Sequence, residues 1–317
     1  MASFEEGLRH FWLRDIHQVG GVTAEELRQW IIRRKFVVTH VNGRDDFIIR
    51  VLAPTEAVRA IAHDSTRMAS AAFETMLGIS TVKGLPRSSA WILIRAYYAA
   101  YFAAHSLLRT FGTVCIQLDA QQTSSFDRVA SAFGMLPNLG FETGYYLAEY
   151  QSGLNEIHFR KTSAARRGSH EVLWEAFADK LREASNHLLT VSAAFTGVAL
   201  QLANLETFLR QAGHNGGSWL SHVRNQTNYR HEYGLWFPYA DSKVESQDLA
   251  RIVKRWKIDP AKLFPVDRSD QITEHVSLCT IIVSICHAVA MDIETHSPAH
   301  KSFHTYGGLA LTRLAKN

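Results

Sequence analysis

Along most of this chain, apolar residues recur at intervals of three and four, the spacing that gives a helix one buried face. Two short stretches break that rhythm. Residues 36–41 and 47–52 alternate apolar and polar positions, the period of a strand with one buried face. Between them, Asn42-Gly43-Arg44-Asp45 supplies residues that tolerate the left-handed backbone of a tight turn. A β-hairpin is therefore predicted. Ahead of it, residues 3–18 read as one helix closed by Gly20-Gly21. A second helix opens at Thr23, where Glu26 completes a capping box, and runs to about residue 34. Winged-helix modules share this outline. A DNA-reading wing would need Arg33, Arg34, Lys35 and Arg44 to form one exposed patch.

From residue 54 onward the pattern predicts helices almost alone. They cover 55–77 (with Gly78 at the stop), 88–111 (stopped by Gly112), 171–212 (capped by Ser169), 218–233 (stopped by Gly234), 248–255 and 269–294. The helix over 88–111 is apolar nearly all round, which places it centrally. Its alanines at 96, 99, 100, 103 and 104 allow close helix contacts. Trp91, Ile94, Tyr98 and Phe102 are expected to share one core with Ile281, Ile285 and Val289. Gly134, Pro137, Gly140, Gly144, Gly153 and Gly168 interrupt residues 113–170, so short helices and loops are expected there. The expected fold class is mainly α: a helical bundle over 55–317 with an irregular insertion at about 113–170. A small helix–helix–β-hairpin unit over 1–54 precedes it, and β structure is expected at 36–52 only.

Composition narrows the picture a little. A chain of 317 residues that is 46% hydrophobic and 20% charged is of globular type. A net charge of +4 predicts no nucleic-acid binding by itself. The bias toward arginine, the side chain suited to bidentate phosphate contacts, is more informative: it supplies 24 of the 34 basic residues. Cys115, Cys279 and Cys286 form no disulfide framework and fit a reducing compartment. Cys279, Cys286 and His287 read as core of an apolar helix, so no metal and no cofactor is expected. The N-terminal segment lacks a signal-type apolar run. The apolar stretch 276–291 reads as a buried helix and not as a membrane span. A cytoplasmic protein without membrane attachment is the expectation.

The candidate chemistry lies in residues 218–234. Arg224 and His231 are seven apart, which on a continuous helix returns to nearly one face. Asn225 and Asn228 flank that face. A guanidinium can hold a phosphate oxygen, and an imidazole can transfer protons near neutral pH. Glu206 and Asp241 are carboxylates that could instead pair with Arg224, and Glu232 adjoins His231. His105 and Arg109, four apart on the central helix, either reach the same cleft or form a buried hydrogen bond. Arg160-Lys161, Arg166-Arg167 and Lys254-Arg255-Lys257 are basic clusters that would suit an RNA backbone.

Arg224-Asn225, five further residues and His231 resemble the Arg-polar-x-His signature of HEPN domains. The helix with Arg95, Tyr97-Tyr98-Ala99-Ala100, Tyr101 and His105 is similar to the Tyr-Tyr-Ala helix of that superfamily. The resemblance covers roughly residues 60–295. It implies a bundle of four or five helices that dimerises so that two Arg/His motifs share a cleft. It also implies metal-independent endoribonuclease activity by attack of the ribose 2′-hydroxyl, in toxin–antitoxin or antiviral-defence systems. Arg224, His231 and Asn225 would then be catalytic: Arg224 on the scissile phosphate, His231 shuttling the proton, Asn225 orienting one of these groups. Asn228, Arg230, His105, Arg109, Arg166 and Arg167 would bind substrate. RNA, a second copy of the chain and an antitoxin or defence-system protein are the expected partners. The alternative is a catalytically inactive HEPN protein that binds protein or nucleotide.

Overall fold

A computed structural model describes residues 2–20, 25–81, 89–135, 139–163, 168–237, 239 and 244–315. Among them are eleven α-helices: α1 Phe4–Arg9, α2 Leu27–Ile32, α3 Pro54–Thr81, α4 Ser89–Thr110, α5 Ala120–Ala132, α6 Ser169–Val191, α7 Thr196–Leu209, α8 Trp219–Arg230, α9 Ser246–Val253, α10 Gln271–His296 and α11 Gly308–Leu314. Five strands accompany them: β1 Phe36–Gly43, β2 Asp46–Val51, β3 Thr113–Leu118, β4 Gly144–Gln151 and β5 Glu156–Lys161. The fold is mainly helical, as expected.

The sheet corrects the expectation for residues 113–170. It is antiparallel throughout, in the order β1-β2-β5-β4-β3. The predicted hairpin pairs Phe36 with Val51, and its second strand pairs Phe47 with Phe159 of β5. The segment read as loops therefore completes the hairpin's sheet. β2 has a neighbour on either side, so the hairpin does not project as a free wing. Arg33 and Lys35 are ion-paired to Glu25 and Glu56, and Arg44 donates to the Gly140 carbonyl. An aromatic core closes this region. Phe47 lies 5.2 Å from Phe159, 4.4 Å from Phe141 and 4.9 Å from Phe126 of α5.

The bundle is built on α3, α4 and α10. The α4 alanines at 96, 99, 100, 103 and 104 are all fully buried. Ile94, Ile281, Ile285 and Val289 are core, as expected. Trp91 is not: it is 53% exposed. Tyr98 and Phe102 are half-buried, and Tyr97 takes the fully buried position instead. The reason is helical phase: the alanine stripe faces the neighbouring helices, which leaves Trp91 at the outer edge.

Helix boundaries differ in four places. Residues 3–18 break after Arg9, where a Ser3–Glu6 capping box starts a helix of six residues. α3 continues through Gly78 to Thr81. The helix expected over 171–212 is two, α6 and α7, because Ser192 is extended (φ −165°) and caps the turn that follows. α8 ends at Arg230. His231 adopts φ 54° and ψ 29°, a left-handed conformation that stops the helix before the predicted Gly234. The Thr23 cap lies outside the described residues. α10 is the described helix long and apolar enough to cross a membrane, yet 83% of its most apolar window is buried inside the fold.

Candidate functional site

α8 is pinned at its start by Gly217. Its φ of 76° is one that glycine adopts freely, and an added Cβ would stand 2.8 Å from the Trp174 carbonyl oxygen of α6. That close approach sets α8 against α4 and α6. Arg224 then projects inward and is only 5% exposed. Its guanidinium carbon lies 4.8 Å from the Tyr97 ring centroid, 5.6 Å from Tyr98 and 6.0 Å from Tyr229. These are cation–π distances. Among the described residues no carboxylate pairs with Arg224, and its buried Nε–H has no acceptor. Glu206 pairs with Arg210, and Asp241 lies outside the described residues.

The Tyr97 hydroxyl is the hub beside this cation. It lies 2.8 Å from His170 Nδ1 and 3.3 Å from Ser221 Oγ, and it accepts from Trp174 Nε1 at 3.1 Å. Burial raises the Tyr97 pKa above the ordinary phenol value, so the hydroxyl keeps its proton. His170, at the start of α6, stacks on Tyr101 with centroids 4.2 Å apart. Burial, then the charge of Arg224, pushes its pKa down to about 4. His275 of α10 is fully buried and lies 3.2 Å, through Nε2, from the Leu220 carbonyl oxygen. Burial is the main reason that its pKa too falls to about 4, with Arg224 acting in the same direction. Neutral imidazoles thus surround a buried cation.

His231 stands elsewhere. It is exposed, off the end of α8, with its ring 5.7 Å from that of Trp236. Trp236 is held to α8 by an Nε1–H bond of 2.8 Å to the Thr227 carbonyl and meets Trp91 edge-on at 5.3 Å. The expectation that Arg224 and His231 share one helical face is corrected here, because the chain leaves the helix between them. Asn225 and Arg230 are exposed and Asn228 is half-buried. Glu232 takes two bonds of 2.8 Å from Gln226 Nε2 and leaves His231 unpaired by it.

His105 and Arg109 are in the interior, where Arg109 Nη1 lies 2.9 Å from His105 Nδ1 and Nη2 donates to the Cys115 carbonyl at 3.3 Å. The buried hydrogen bond, not the cleft, is the arrangement found. Arg166 and Arg167 lie outside the described residues. Arg160 and Lys161 are neutralised by Glu149 and Glu142, whereas Lys254, Arg255 and Lys257 are exposed. Cys279 and Cys286 are buried free thiols, and among the described residues no cluster of three metal-ligating side chains occurs. Sequence reasoning missed His170, His275, Ser221 and Trp174. The signal for His170 was its place one residue into a helix that faces the Tyr97/Tyr101 stripe. The other three had none.

What lies at the surface is an aromatic strip edged with cations. Trp91 (53% exposed) meets the half-buried Trp236, and Tyr229 (71% exposed) and the half-buried Tyr98 both lie within 6.0 Å of the Arg224 guanidinium carbon. Arg95 and Arg230 are exposed on the same two helices, α4 and α8. The chain matches no protein-family model, no curated protein and no solved structure.

Proposed function

We propose that the α4–α8 surface binds single-stranded RNA and that the protein is a metal-independent endoribonuclease of HEPN type. The observation that carries this reading is Arg224, a buried cation with an unused Nε–H and no carboxylate among the described residues. A buried charge without a counter-ion is costly, and a phosphate supplies both the charge and the acceptor. The aromatic strip beside it offers ring faces on which unpaired bases stack. Arg224 holds the phosphate. His231 takes the proton of the ribose 2′-hydroxyl as that oxygen attacks phosphorus, and the proton passes to the departing 5′-oxygen as the P–O5′ bond breaks. The products end in 2′,3′-cyclic phosphate and 5′-hydroxyl. The same reading has two copies joining at this surface, inside the cell, in a toxin or antiviral-defence setting.

A second reading, an RNA- or nucleotide-binding HEPN-like module without catalysis, is favoured by one observation: His231 lies off the helix that carries Arg224. One experiment separates the two. Purified protein is incubated with total RNA in EDTA, alongside His231→Ala and Arg224→Ala, and retention of labelled RNA is measured in parallel. Cleavage that survives EDTA and disappears in both variants supports the nuclease. RNA that is retained, uncut, and released by Arg224→Ala supports the binding module. RNA neither cut nor retained rules out the nuclease and RNA binding.

A further inference from the structure

We infer that the end of α8 is a latched switch: Trp236 and Glu232 hold it unwound, and its rewinding carries His231 onto the face of Arg224. This rests on the reading of Arg224 and His231 as the catalytic pair. In a continuous helix the His231 N–H would donate to the Thr227 carbonyl, four residues back. In the structure that N–H turns to the Gln226 carbonyl, and the Thr227 carbonyl takes the Trp236 indole N–H instead, at 2.8 Å. The indole occupies the acceptor that the next helical turn needs. A second contact works in the same direction. Gln226 Nε2 reaches both carboxylate oxygens of Glu232 at 2.8 Å. Residues six apart stand about 120° apart around a helix, so this contact belongs to the unwound chain alone.

The unwound turn is strained. His231 and Tyr233 have φ of 54° and 70°, the left-handed region that residues with a side chain seldom adopt. Gly234, at φ 60°, takes it freely. No proline or glycine lies between Arg230 and Gly234 to forbid a helix there. Leu235 marks the limit of the switch: it is buried, and its carbonyl accepts from the Ala90 N–H at 3.4 Å. The segment that rewinds is the single turn from His231 to Gly234. Once it is wound, His231 stands seven residues from Arg224 on nearly the same face, with the proton carrier beside the group that holds the phosphate. The latched form keeps the two apart and is therefore autoinhibited.

Hydrogen exchange on peptides covering residues 226–237 reads the turn without RNA, and cleavage in EDTA, per RNA bound, reads the consequence. Trp236→Phe keeps a ring and removes the indole N–H, and Glu232→Ala removes the carboxylate. Both should slow exchange at residues 231–234 and raise cleavage about fivefold, the scale of one hydrogen bond. Tyr233→Gly relieves the left-handed residue and disfavours the helix. It should leave exchange as fast as in the parent and lower cleavage about fivefold, the scale of one glycine placed in a helix. Glu232→Ala and Tyr233→Gly, at half-buried positions, carry the test if Trp236→Phe does not fold. Equal exchange in the parent and every variant overturns the inference, and the nuclease reading survives if the parent cleaves. Slower exchange with the cleavage of an active parent unchanged overturns it as well. If no form cleaves RNA while the exchange pattern holds, the nuclease reading fails and the switch stands.

Discussion

Arg109 and His105 lie one helical turn apart on α4 and meet in the interior at 2.9 Å, a guanidinium nitrogen against an imidazole nitrogen. His105 is held neutral there: burial, Arg109 and His170 all keep its pKa well below the ordinary value. Arg109 anchors its other end on the Cys115 carbonyl at the base of β3. A structural pair thus occupies positions that the sequence also offered as substrate ligands.

This neutrality sets an acid limit on the fold. His170 and His275 have folded pKa values of about 4, and His304 about 3, against 6.5 for the free group. The unfolded chain therefore binds more protons below pH 6.5 than the folded chain does. Stability is fully present above pH 6.5 and is lost progressively as the pH falls toward 4. For the fully buried His275, a fall from 6.5 to about 4 corresponds to roughly 3 kcal/mol. The urea midpoint should drop steeply between pH 6.5 and 4, with a shallower slope in His275→Gln. A flat profile through that window would count against buried neutral imidazoles.

Arg224→Met should leave the melting temperature unchanged or raise it. Replacing a buried charge that lacks a counter-ion with an apolar chain of similar volume is neutral or stabilising, here within about 1–4 kcal/mol. RNA binding should be lost in the same variant. A substantial loss of stability would instead mark Arg224 as a structural cation.

Trp91→Ala should cost little stability, since the side chain is 53% exposed. It should weaken single-stranded RNA binding by about 1–3 kcal/mol, the usual worth of one base–aromatic stack. Filter binding of a short labelled oligonucleotide measures this. Equal affinity in parent and variant removes Trp91 from the surface.

Phe47→Ala should cost about 3–5 kcal/mol in urea unfolding, because its ring is fully buried among Phe126, Phe141 and Phe159. Phe102→Ala should cost less, since Phe102 is only half-buried. The reverse order would place the principal aromatic core in the bundle.

Much of the helical frame was legible, and the reasons differ by element. The Asn42–Asp45 turn signal sits between two alternating stretches and both form strands, but β1 runs on through Asn42 and Gly43, so the turn narrows to Arg44-Asp45. β3 was hidden because it is buried at five of its six positions, so its sequence has no alternation to detect. The break between α6 and α7 was hidden because no glycine or proline marks Ser192. The end of α8 was missed for a similar reason: the left-handed residue is His231, while Gly234 three positions later is the stronger stop signal. That single residue decides whether the cation and the imidazole share a face. Arg224 was recognisable from its motif, but its tyrosine surroundings depend on how α4 meets α8, which no local pattern encodes.

The sheet draws its strands from two distant stretches, and that has a consequence for synthesis. β2 meets β5 through Arg50 and Glu156, which are 106 residues apart. At roughly 5–20 residues per second, the ribosome leaves the second edge of β2 without its partner for on the order of 5–20 s. During that interval the nascent hairpin carries Phe47, Ile49 and Val51 on an open edge. Asp46 and Arg50 place a charge near each end of that edge, and charges on an edge strand disfavour pairing with another chain.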